Sequence, residues 1–93
     1  MRNRKYSSLF KKALNKLKGK ELQNLLKKRD EVMNNSDLNH YKNLKYDLKQ
    51  YKRVHVNDSY VILFFGDDGT VYFVDYEHHD KVYKKKYENL KFE

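Results

Sequence analysis

Apolar residues in the first third of the chain recur at the spacing of a helix face. Phe10, Ala13, Leu14 and Leu17 stand at i, i+3, i+4 and i+7, which predicts a short amphipathic helix with Ser7 or Ser8 as N-cap and Gly19 as C-cap. A second helix is expected from near Lys20, with Leu22, Leu25, Leu26, Val32 and Met33 on one stripe. It ends in Asn34-Asn35-Ser36-Asp37, residues that favour turns by bonding their own backbone. The two helices read as an αα-hairpin with basic outer faces.

The spacing changes near residue 50. Leu44 to Leu48 fits neither period, but from Tyr51 to Val56 alternate residues face opposite ways: Tyr51, Arg53 and His55 on one side, Lys52, Val54 and Val56 on the other. Tyr60 to Phe65 is a β-branched and aromatic run suited to a strand buried on both faces. Gly66-Asp67-Asp68-Gly69 closes a hairpin onto a strand from Thr70 to Tyr76, the Asp68-Gly69 pair supplying positive φ angles. The expected class is α+β, a helical hairpin on a small antiparallel meander. The helices should cover one sheet face and leave the other free for a ligand.

With 93 residues, 37% of them charged, the chain holds one domain and has no room for an enclosed cofactor. It contains no cysteine, proline or tryptophan. Disulfides, thiol nucleophiles and Cys-based zinc sites are thereby excluded, and a cytoplasmic setting is expected. No apolar run reaches the length of about 20 residues that crosses a bilayer. The basic start Met1-Arg2-Asn3-Arg4-Lys5 lacks the apolar stretch of a secretory signal. Residues 1–53 carry 16 basic and 5 acidic side chains, whereas residues 54–93 carry 5 and 8. So cationic a first half suits a polyanionic partner, most simply nucleic acid.

The β half holds His55 beside Arg53, the pair His78-His79 and Tyr83. Two imidazoles and a guanidinium suffice to cleave RNA without a metal: a base for the 2′-hydroxyl, an acid for the leaving oxygen and a cation for the phosphorane. Tyr83 or Tyr60 offers a plate for a base. No metal is assigned, because adjacent histidines on an extended chain point apart. Lys84-Lys85-Lys86 reads as a solvated charge run, and Tyr72, Tyr76, Phe64 and Phe73 read as core or cross-strand partners. No Gly-rich phosphate loop, Ser-His-Asp order or carboxylate pair appears, so nucleotide hydrolysis and acyl transfer have no support.

Three blocks then carry a resemblance: Tyr6-Ser7-Ser8-Leu9-Phe10-Lys11-Lys12; Asn43-Leu44 through Tyr51-Lys52-Arg53-Val54-His55-Val56-Asn57-Asp58-Ser59-Tyr60-Val61-Ile62-Leu63-Phe64; and His79-Asp80-Lys81-Val82-Tyr83. From about Tyr6 to Tyr83 the chain resembles the RelE/ParE superfamily of type II toxins, and within it the YafQ-type mRNA interferases. The resemblance implies a short N-terminal edge strand within residues 2–6, a ribosome-dependent endoribonuclease acting on mRNA by 2′-hydroxyl transesterification, and a cognate antitoxin as partner. It matches His55 and His79 to the family's two histidines, Tyr83 to the aromatic residue that follows and Tyr60 to a position often held by Trp. The expected site is therefore His79, His55 and Arg53 for catalysis, with Tyr83, Tyr60, Lys42, Lys52 and Lys81 binding substrate and no cofactor.

The chain departs from the family pattern at Lys42, where a further histidine is usual, and at Ser59, where Asp is usual. His40 lies two residues from Lys42. A ParE-like toxin that binds gyrase without chemistry, or a member retaining only antitoxin or RNA binding, stays open on the same fold. The segment after Tyr83 has no assignment.

Overall fold

Ser7 is the joint between the first strand and the first helix. In the computed structural model, which describes residues 2–93, its Oγ accepts the Phe10 N–H at 3.1 Å and donates to the Val74 carbonyl of the sheet. Met1 of the basic N-terminal run lies outside the described residues. The same hydroxyl caps α1 (Ser8–Lys16) and fixes that helix to the sheet. Ser7→Ala removes the cap and leaves a fully buried carbonyl short of a donor, so we expect a loss of about 1–2 kcal/mol, read as a lower urea midpoint at unchanged slope.

Gly19, at φ 59°, lets the chain reverse into α2 (Gly19–Asn34) after only two intervening residues. Phe10, Leu25 and Val32 project from the two helices onto the sheet, with Phe10 stacked on Phe73 at 5.2 Å between ring centres. Turns follow at Leu38–His40 and Tyr46–Leu48. The sheet comprises β1 (Asn3–Tyr6), β2 (Lys52–His55), β3 (Tyr60–Asp67) and β4 (Thr70–His78), in the order β1-β4-β3-β2. β2, β3 and β4 form the expected meander, turning between β3 and β4 on Asp68 (φ 49°) and Gly69 (φ 79°). β1 is the short edge strand, paired parallel to β4, so the sheet is mixed.

The second sheet face is not left free. Leu44, Leu48, Tyr51, Val61, Leu63, Val74 and Val82 are buried there, covered by Phe65, Tyr87, Leu90 and Phe92. Leu44 and Leu48 anchor the connector that had no legible period. The C-terminal segment crosses the same face and bridges back, Phe92 to Ser7, with Glu93 and Tyr6 exchanging backbone hydrogen bonds at 2.9 and 3.0 Å. Aromatic residues spaced too irregularly for a strand or helix thus close a second core.

A bulge opposite Leu63 and Phe64 makes Val74 an extra residue of β4. It shifts the alternation, so that Asp75 pairs with Leu63 and turns onto the second face instead of the helix face. Asp75 is buried, at 2% exposure. No helix of the described residues is long and apolar enough to cross a membrane.

Candidate active site

His55 is the last residue of β2, and His79 follows directly after β4. Their ring centres stand 6.3 Å apart. The β2–β3 turn makes this meeting possible: Asn57 Oδ1 accepts the Ser59 and Tyr60 N–H groups at 2.8 Å each, and the Ser59 carbonyl accepts the His79 N–H at 2.8 Å. Ser59, which departs from the family pattern, therefore holds His79 through its backbone. Arg53 lies two residues before His55, on the same face of the strand. With His55, Lys42 and His40, it lines an open cavity of about 530 Å³.

Past β4 the chain turns sharply, and the His78 and His79 rings stack at 4.7 Å. The expectation that adjacent histidines point apart fails here, because His78 ends β4 and His79 begins the turn, so the chain between them is no longer extended. Asp80 Oδ1 lies 3.0 Å from His79 Nδ1, while His78 Nδ1 accepts the Asp80 N–H at 3.1 Å. Among the described residues these three bring potential metal-ligating atoms within 4.8 Å of one another.

The expected binding residues divide. Lys42 shares the cavity with Arg53, and its carbonyl accepts the Arg53 N–H at 3.0 Å. Lys81 is exposed in the turn just after His79. Tyr60 stacks on Tyr76 at 5.0 Å and meets His78 edge-on, so it props the histidine turn from the helix-covered face. Lys52 is placed elsewhere: it begins β2 at the end away from His55, its ammonium bonded to the Tyr41 carbonyl and Asn43 Oδ1. It ties down the connector and does not join the histidines. Tyr83 is half exposed, its hydroxyl accepting the Lys45 N–H at 3.0 Å.

One group near the site carried no sequence signal. Lys85 Nζ lies 2.8 Å from Asp75 Oδ2 and 3.0 Å from Glu77 Oε2, and the Tyr87 hydroxyl donates to the same Asp75 oxygen at 2.9 Å. The middle lysine of the supposed solvated run is thus paired. Burial alone would lower the Lys85 pKa, but hydrogen bonds to Asp75 and Glu77 outweigh it and raise the value. For Glu77, burial works upward and is outweighed by the His78 N–H and Lys85, so its pKa falls. Burial and then the Asp75 charge push the Tyr87 phenol up.

These directions fix the pH response. Glu77 stabilises the fold above the ordinary carboxylate range and loses that contribution as pH falls through its lowered value. Lys85 and Tyr87 contribute fully below their ordinary values and lose it as pH rises through the raised ones. We therefore expect the thermal midpoint to be flat around neutrality and to fall on both sides, with both limbs shallower in Lys85→Met.

No family model matches the chain. It is 47% identical over 75 residues to candidate toxin RelE4 of Methanocaldococcus jannaschii, a match spanning 78% of each chain. Among solved structures, a His-to-Gln variant of Escherichia coli YafQ superposes with a TM-score of 0.69 at 18% identity, over 89% of this chain and 99% of that one. A chain of the E. coli DinJ–YafQ complex superposes with a TM-score of 0.60, also at 18% identity and the same coverage.

Proposed function

The chain belongs to the RelE family of toxins, and from that premise we propose that it is an endoribonuclease that cleaves mRNA on the ribosome and is held inactive by a cognate antitoxin protein. The observation that carries this reading is the 6.3 Å separation of the His55 and His79 rings, brought from two different strand ends. Hydrogen-bond reaches of about 2.6–3.2 Å from each ring allow one phosphodiester to touch both.

In the proposed reaction one imidazole removes the 2′-hydroxyl proton, and O2′ attacks phosphorus. The bond to O5′ breaks as the other imidazolium protonates it. Arg53 stabilises the charge gathering on the non-bridging oxygens. His79 takes the principal proton-transfer role and His55 the second. The chemistry asks for no metal of the protein's own. Lys42 and Lys81, flanking the cleft and the turn, suit contacts to neighbouring phosphates.

The product ends test the mechanism. Fragments released on translating ribosomes are expected to carry a 5′-hydroxyl and a 2′,3′-cyclic phosphate or its 3′-phosphate hydrolysis product, distinguishable by end-specific ligation and kinase labelling. Ends bearing 5′-phosphate and 3′-hydroxyl would require an external water nucleophile and remove this mechanism.

A further inference from the structure

We infer that Tyr46 is part of the RNA-binding surface, forming with Tyr83 a stacking plate for an unpaired nucleobase; this rests on the nuclease reading above and extends it. Among the described residues the exposed large hydrophobic side chains are Tyr46, 80% exposed, and Tyr83, 48% exposed. They touch: their rings meet edge to face, 6.1 Å between centres at 77°. Two water-facing aromatic rings from segments 37 residues apart are thus gathered on one spot of a surface otherwise rich in charge.

The backbone adds an independent observation. Tyr46 has φ 61°, in the left-handed region that bulky side chains rarely adopt and that glycine or asparagine would occupy with less strain. Strain of this kind persists only where the surrounding structure holds it, and the ring gains no burial in return. What the conformation does secure is position. The Lys45 N–H, next in the chain, bonds the Tyr83 hydroxyl and fastens the Tyr46–Leu48 turn to the Val82–Lys84 turn.

Charge around the plate selects the occupant. Lys45, Lys49, Lys84 and Lys86 flank the two turns and form no ion pair among the described residues, against the acidic Asp47 and Glu88. A cavity of about 520 Å³ runs between the turns, with both tyrosines on its wall. Aromatic faces for a base with ammonium groups for its phosphates are the recognition chemistry of single-stranded nucleic acid; in duplex RNA the bases are not free to stack on a side chain. Tyr83 lies four residues beyond His79 in the chain, so the plate and the histidine turn are joined by one short segment.

The test uses the full chain carrying His79→Ala, so that RNA is bound without being cut, and a fluorescently labelled ten-nucleotide single-stranded RNA followed by anisotropy. Adding Tyr46→Gly should weaken binding about tenfold or more, the loss of one base–aromatic stack, while the thermal midpoint stays level or rises as the backbone strain is relieved. Tyr46→Phe should bind like its parent. Unchanged affinity in Tyr46→Gly overturns the plate, as does a parent that does not hold the decamer. A falling thermal midpoint overturns it by showing that the ring holds the fold, and weakened antitoxin binding with RNA affinity intact assigns the rings to a protein partner instead. The nuclease reading is judged separately, by the product ends.

Discussion

On the proposed mechanism, His79→Ala is expected to abolish mRNA cleavage and growth arrest together, with cleavage rates falling by about 10²–10⁴, the span that a positioned proton-transfer group contributes. His79 stands just beyond β4, half exposed, its ring set against His78 and Asp80 and not among the residues of either hydrophobic core. Its tie to the β2–β3 turn runs through the backbone N–H to the Ser59 carbonyl, which alanine keeps, and the side-chain contacts it loses, with His78 and Asp80, lie in the exposed turn. Circular dichroism, thermal midpoint and antitoxin binding should therefore stay at parental values while cleavage disappears. His55→Ala should lower cleavage as well. The double variant should fall little below His79→Ala, because two groups acting on one phosphate are not additive. Full toxicity in a folded His79→Ala chain would remove the catalytic assignment.

The second large effect concerns stability and lies at Lys85. Removing the ammonium leaves Asp75, 2% exposed, with the Tyr87 hydroxyl and its neighbouring backbone N–H as partners. Stranding one member of a buried pair costs about 3–5 kcal/mol, and the low end applies because the Lys85 side chain is about a third exposed. In a chain of this length, about 3 kcal/mol is a large share of the total stability. Lys85→Met should thus lower the thermal midpoint by ten degrees or more. Adding Asp75→Asn should recover part of the loss, since the uncompensated charge is then gone. Additive losses in that double variant would show that the ion pair is not the source of the effect.

Period and turn chemistry made much of the fold legible: the helix face from Phe10 to Leu17, the alternation from Tyr51 to Val56 and the Asp68-Gly69 turn each depend on local geometry. The His55–His79 pairing was reachable through the resemblance, because those residues stand in recognisable blocks. What stayed hidden is non-local. Nothing local places β1 parallel to β4, or shows that Val74 is an extra residue that swings Asp75 onto the opposite face. Nor does a Lys-Lys-Lys run reveal that its middle member is paired while its neighbours face water. The hydrogen bonds of Lys52 are hidden for a related reason: alternation sets it on the face opposite Arg53 and His55 but does not show that its ammonium is bonded to the Tyr41–Asn43 connector. Tyr46 carries no signal in the sequence, because the left-handed φ at its position exists only in the folded turn.

The arrangement of β1 between β4 and residues 92–93 has a consequence for how the protein is made. β1 has its neighbours among residues 70–73 and 92–93, so on a translating ribosome it waits unpaired until those segments have left the exit tunnel. Such distant pairings slow folding, although the entropy of closing the longer loop exceeds that of the shorter only logarithmically. A nascent chain stalled before residue 70 therefore has β1 without its β4 partner, and neither the finished sheet nor a completed cleft.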